Sequence, residues 1–185
     1  MMTSTKGHRR GLPRRGRGLL LASLALALSA RLSLGQITRT GTTNVTATVN
    51  AEASISVSSP TTLVQGGGGF VSYTGSTTVT FSIRTTKVGG TGSISLLAVE
   101  FAPAGGPTVA GGDLTYTCGG TPAVGTVCSG TQTASTTVST PVVASIGADQ
   151  KANNTTAAVN WTLADSPLYS TGAYSSSVTV TVTSL

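Results

Sequence analysis

Thirteen consecutive residues constrain this chain more than any other feature. Val45, Ala47, Val49, Ala51, Ala53, Ile55 and Val57 are apolar, and every residue between them (Thr46, Thr48, Asn50, Glu52, Ser54 and Ser56) is polar. A strand sends successive side chains to opposite faces, whereas a helix would scatter these apolar groups around its whole circumference. The run therefore predicts β-structure. At about 3.3 Å per residue it would span roughly 43 Å, about twice the common strand length. Two readings fit this excess equally. Residues 51–58 could form the first strand of a domain and leave 36–50 as a separate segment able to pair elsewhere. Alternatively, a bend or sheet switch near Asn50-Ala51-Glu52 could keep the whole run in one domain.

Shorter alternations follow. Val79, Phe81 and Ile83 alternate with Thr80, Ser82 and Arg84. Ile94, Leu96 and Ala98 begin a third run, which turns continuously apolar through Val99 and Phe101. Leu114, Tyr116 and Cys118 form a fourth, and residues 133–146 hold one or two weaker strands ending at 142–146. Ala157, Val159, Trp161 and Leu163 alternate cleanly, as do Val178, Val180 and Val182 at the end. Between them, the stretches 66–69, 89–90, 103–107, 111–112 and 165–167 are rich in Gly, Pro and Asp, the chemistry of turns. From Gln36 onward roughly a third of the residues are Ser or Thr, and β-branched Thr and Val suit the pleated strand. The prediction is an all-β chain, an immunoglobulin-like β-sandwich of about seven or eight strands. Phe81, Phe101 and Trp161 are its expected core aromatics.

The net charge of +6 belongs to the leader. Seven of the eleven Lys and Arg residues (Lys6, Arg9, Arg10, Arg14, Arg15, Arg17 and Arg31) precede position 36, leaving four cations against five acids thereafter. Residues 19–28, LLLASLALAL, have the length of a signal-peptide core. Ser33 and Gly35 supply small residues at the −3 and −1 positions, which places cleavage before Gln36. Arg31 interrupts the apolar run before it reaches the roughly 20 residues that span a bilayer. The expectation is a secreted chain, with no nucleic-acid partner and no membrane insertion of the mature part. Export leads to an oxidising space, where Cys118 and Cys128 should pair. Closing a loop of about ten residues stabilises by roughly 2–3 kcal/mol on the chain-entropy model.

Catalytic chemistry is hard to assemble here. The single histidine, His8, lies in the leader, so the mature chain has no imidazole base or metal ligand. Glu52 and Glu100 would be the candidates for a glycosidase pair, but both read as solvated positions on strands. Residues 66–69 lack the Lys-Ser/Thr of a phosphate loop. No enzyme, cofactor or metal site is expected.

The closing sequence Gly172-Ala173-Tyr174-Ser175-Ser176-Ser177 runs into Val178-Thr179-Val180-Thr181-Val182-Thr183. This G-x-Y-x-x-x-V-T-V-T-V pattern, the signal peptide and the alternating N-terminal segment together resemble secreted spore coat protein U-like subunits, which belong with the archaic chaperone–usher pilins. The resemblance implies an incomplete immunoglobulin-like sandwich, completed by donor-strand exchange. A periplasmic chaperone fills the groove first, and the N-terminal extension of the next subunit replaces it at an outer-membrane usher. Carried over, Val45, Ala47 and Val49 are donor-strand plugs, while Val178, Val180 and Val182 line the acceptor groove. The family often carries a cysteine near its first strand, where this chain has serines. The expected organisation is residues 1–35 as signal peptide, 36–50 as donor extension and 51–185 as sandwich. The expected role is a structural subunit of a surface filament, pilus or coat, polymerised head to tail. The alternative is a self-contained extracellular binding module for adhesion or carbohydrate, with Tyr73, Tyr169 and Tyr174 as its aromatic cluster.

Overall fold

The computed structural model describes residues 40–58 and 60–185. The leader, its cleavage point before Gln36 and the first residues of the extension lie outside the described residues. A compact unit spans Ala47–Leu185. Its strands are β1 (Glu52–Val57), β2 (Val64–Gln65), β3 (Tyr73–Arg84), β4 (Gly92–Ala98), β5 (Leu114–Gly119), β6 (Thr126–Val127), β7 (Gln132–Thr133), β8 (Thr140–Ile146), β9 (Lys151–Leu163) and β10 (Val178–Ser184). Seven of these have six residues or more. There is no helix among the described residues.

The strands form two antiparallel sheets packed as a β-sandwich. The first runs β1-β3-β9-β5-β7, with β2 also on β3, and the second runs β10-β4-β8-β6. Alternation along each strand buries one face of each sheet against the other. Val79, Phe81 and Ile83 of β3 and Val159, Trp161 and Leu163 of β9 meet Ile94 and Leu96 of β4 and Val142, Val143 and Ile146 of β8, all buried. Tyr116 of β5, also fully buried, sets its ring 5.4 Å from that of Trp161 at 55°. Such a tilted pair adds roughly 0.5–1.5 kcal/mol beyond its area burial.

Two seams close the sandwich. On one edge, the Cys118–Cys128 disulfide ties the end of β5 to the residue after β6, and so one sheet to the other. Beside it the Tyr116 hydroxyl crosses the same gap and donates to the Pro141 carbonyl at 2.8 Å. At the end of the molecule where β3 finishes, the Ser184 hydroxyl donates to the Arg84 carbonyl at 2.8 Å, and the Thr86 amide to the Leu185 carbonyl at 2.9 Å. Gly92 permits this approach, because a Cβ there would sit 2.7 Å from Cδ1 of Ile83.

Two expectations are corrected, and one alternative left open is narrowed. The strand within the thirteen-residue alternation begins at Glu52, as in the reading that starts the domain's first strand near residue 51, and residues 40–51 belong to no strand. β1 pairs antiparallel with β3, Glu52 opposite Arg84, and β3 ends at that residue, so earlier positions have no backbone to pair with. Phe101 is half-buried against the core rather than within it: the regular alternation of β4 ends at Ala98 and Val99 is exposed, while the backbone keeps only an irregular pairing with the segment before β10, Val99 N–H to the Ser177 carbonyl and Ala102 opposite Ser175. Glu100 is not on a strand. Its carboxylate accepts the amides of Val109 and Ala110, the latter at 3.0 Å, and that of Phe101 at 3.3 Å.

Candidate functional site: an open groove between two sheet edges

The edge opposite the disulfide is the open one. β1 ends the first sheet and β10 ends the second, and among the described residues neither has a strand on its outer side. In places their Cα atoms lie within 8 Å of each other. The sheets are pinned where Ser184 meets Arg84 and part towards Val57 and Val178, and a groove of about 960 Å³ lies there. Val57, Val79, Val159, Trp161, Val178 and Val180 form its apolar floor.

The inner faces of these two edge strands are incompletely buried. Inner residues of β3, β4 and β9 such as Val79, Ile94 and Val159 are at most 1% exposed, yet Val57 is 41% exposed. Ala53 and Ile55 of β1 and Val178, Val180 and Val182 of β10 are only half-buried. Of the three β10 valines, Val178 and Val180 line the groove, whereas Val182 lies towards the pinned end. Val45, Ala47 and Val49 are exposed and belong to no strand, with Val45 at 89% and Val49 at 67%.

The groove is rich in aromatic residues. Six of the chain's eight line it, Trp161 on the floor and Phe70, Tyr73, Phe101, Tyr169 and Tyr174 around it. Tyr73, Tyr169 and Tyr174, grouped from sequence alone, do share this groove. Phe70 holds a left-handed backbone (φ 57°) and leaves its ring 63% exposed, an unusual conformation for a bulky residue.

Polar side chains also line the groove, among them Ser58, Thr61, Gln65, Thr77, Asp165 and Ser176, and several are satisfied within the protein. Trp161 Nε1–H donates to the Thr77 hydroxyl at 2.7 Å, and Thr77 shares a second bond with Thr61. Gln65 Nε2 donates to Asp165 Oδ2 at 2.9 Å and to the Val71 carbonyl at 3.1 Å, fastening the loop that carries Phe70. The Tyr174 hydroxyl donates to the Ser170 carbonyl at 2.6 Å. Burial, reinforced by the negative charges of Asp113 and then Asp165, pushes the Tyr169 hydroxyl up to about 12, so it stays protonated. Such a lining holds an apolar or aromatic guest by shape, and the free backbone edges beside it can add hydrogen bonds.

No protein-family model, curated protein or solved structure matches this chain. Tyr116 and Thr77 are the important positions that sequence reasoning passed over. Tyr116 lies in an alternating run where nothing distinguishes it from its neighbours, and nothing local marks Thr77 as the acceptor of a tryptophan 84 residues away.

Proposed function

We propose that this protein is a secreted structural subunit of a surface filament, pilus or coat, assembled by inserting a β-strand of one copy into the groove of the next. One observation carries the reading: β1 and β10, each an edge of a different sheet left unpaired among the described residues, flank a partly exposed groove with an apolar floor. An edge of this kind templates pairing with another chain. Strand addition in trans would satisfy its backbone groups and fill its pockets with every second side chain. The segment 36–50 offers such side chains in Val45, Ala47 and Val49. Because donor and acceptor are different surfaces of one chain, the contacts run head to tail and do not close, which generates a filament. The signal-peptide pattern and the disulfide agree with passage through an oxidising compartment. In a bacterial envelope this compartment is the periplasm, where a chaperone and an outer-membrane usher would handle the open groove. No reaction chemistry is assigned to the protein.

Deletion of residues 36–50 from the mature chain tests the reading. The shortened protein should remain monomeric at concentrations where the complete chain assembles. A synthetic peptide of sequence 36–50 should then raise its melting temperature. At a hundredfold excess over Kd, binding to the folded state alone contributes about 2.7 kcal/mol, worth roughly 5–15 °C in a domain of this size. Unchanged assembly of the shortened chain would remove the donor strand from the argument.

The aromatic lining favours a second reading, an adhesion or carbohydrate-binding module, since Phe70, Tyr169 and Tyr174 line one groove. It predicts a stable monomer whose affinity for sugars falls on Phe70→Ala, with or without residues 36–50.

A further inference from the structure

A chain that carries both a groove and a segment able to fill it has a competing outcome: the segment can turn back and fill the groove of its own molecule. Doing so requires a tight hairpin immediately before β1. Asn50 and Ala51 would form the turn, and the preceding residues would lie along the groove-facing edge of β1. Strand exchange between molecules depends on that hairpin being disfavoured.

The contacts at this position oppose it. Arg84, the last residue of β3, lies on the other side of β1 from the groove. Its Nε donates to the Asn50 carbonyl at 2.8 Å, and its terminal nitrogen meets Glu52 Oε2 at 3.1 Å. Arg84 pairs with Glu52 in the strand register, so beyond it β3 has no backbone left for Asn50. The guanidinium supplies the missing donor. It extends the β1–β3 pairing by two residues through a side chain and fixes Asn50 on the β3 side. A planar fork with several fixed donors suits this double grip, which a lysine ammonium would not reproduce.

Resting on the strand-exchange reading, we propose that Arg84 is a positioning residue that directs exchange between molecules by holding Asn50 away from its own groove. The ion pair with Glu52 is solvent-exposed, with the two side chains 44% and 78% accessible, so it contributes little by itself. The bond to the Asn50 carbonyl carries the direction.

The test uses the mature chain from Gln36, with light scattering after size exclusion to read the monomer-to-assembled ratio and thermal melting of the monomer fraction. Arg84→Ala should raise that ratio about fivefold, the scale of one exposed charged contact. Adding Ala51→Gly, which supplies an Asn-Gly hairpin turn, should raise it further. The monomer so formed should melt above the chain lacking residues 36–50, because its groove is filled. That readout separates self-filling from mere loss of assembly. Glu52→Ala, which keeps the Asn50 bond, should assemble as the parent does. An unchanged ratio in both arginine variants, or a monomer that melts with the shortened chain, would overturn the role of Arg84 while leaving strand exchange standing. Normal assembly of the shortened chain would overturn both.

Discussion

Glu100 illustrates how little a single side chain discloses before its loop is known. In an alternating stretch it reads as a solvated strand residue, yet it organises the turn at 107–110 by accepting three backbone amides. The bond from Ala110 is the largest influence holding its carboxyl below the usual 4.5; those from Val109 and Phe101 add to it, and partial desolvation works against it. A carboxyl whose folded value is depressed stabilises the protein fully above the unfolded value, and that contribution is lost as pH falls through the folded one. Glu100→Gln should therefore be less stable than the parent at pH 7, with the difference shrinking below about pH 4.5. Urea midpoints at pH 7, 5 and 3 measure this, and a gap constant across that range would contradict it. Among the core aromatics, Phe81 and Trp161 are buried. Phe101 differs because a local pattern cannot tell where a strand stops.

At the scale of elements, period-two alternation located six of the seven longer strands, because it reports which faces a segment can bury; β8, where adjacent Val142 and Val143 are both buried, fell within a stretch read only as one or two weaker strands. The alternation could not report pairing. The opening run has strand capacity over thirteen residues, but only the six opposite β3 find a partner. The two-residue strands β2, β6 and β7 left no period to detect; they exist because longer neighbours offer an edge. The disulfide was legible from compartment and spacing, whereas its place in the architecture was not: it joins the two sheets at the edge away from the groove. Replacing both cysteines by alanine should cost about 2–3 kcal/mol in urea unfolding, the scale of a short closed loop. Strand acceptance should survive, since β1 and β10 lie at the opposite edge. Loss of peptide binding in a chain that remains folded would show that the two edges are coupled.

For the whole molecule, one edge is sealed covalently, one end is pinned by hydrogen bonds, and the remaining edge is open with apolar side chains half-covered. The residue pattern alone does not show this arrangement, although the resemblance implied an open groove lined by Val178, Val180 and Val182; the groove arises from strand order across two sheets and, among the described residues, from the absence of a neighbour outside β1 and β10. The sequence carried its materials, the Val-Thr ending and the opening alternation, without their relation. The two faces of β10 allow the groove to be tested apart from the fold. Val180 points inward to the groove floor, whereas Thr181 is exposed on the opposite face. A lysine at 180 can reach water from a half-buried position in the free subunit, so Val180→Lys should fold with modest loss of stability. A strand laid over it would trap an unpaired ammonium, at a cost of several kcal/mol, and assembly should fall to background. Thr181→Lys adds the same charge to the same strand and should assemble as the parent does. Equal assembly of the two variants would mean that copies meet through some other surface, and equal failure would mean that net charge rather than groove filling governs association.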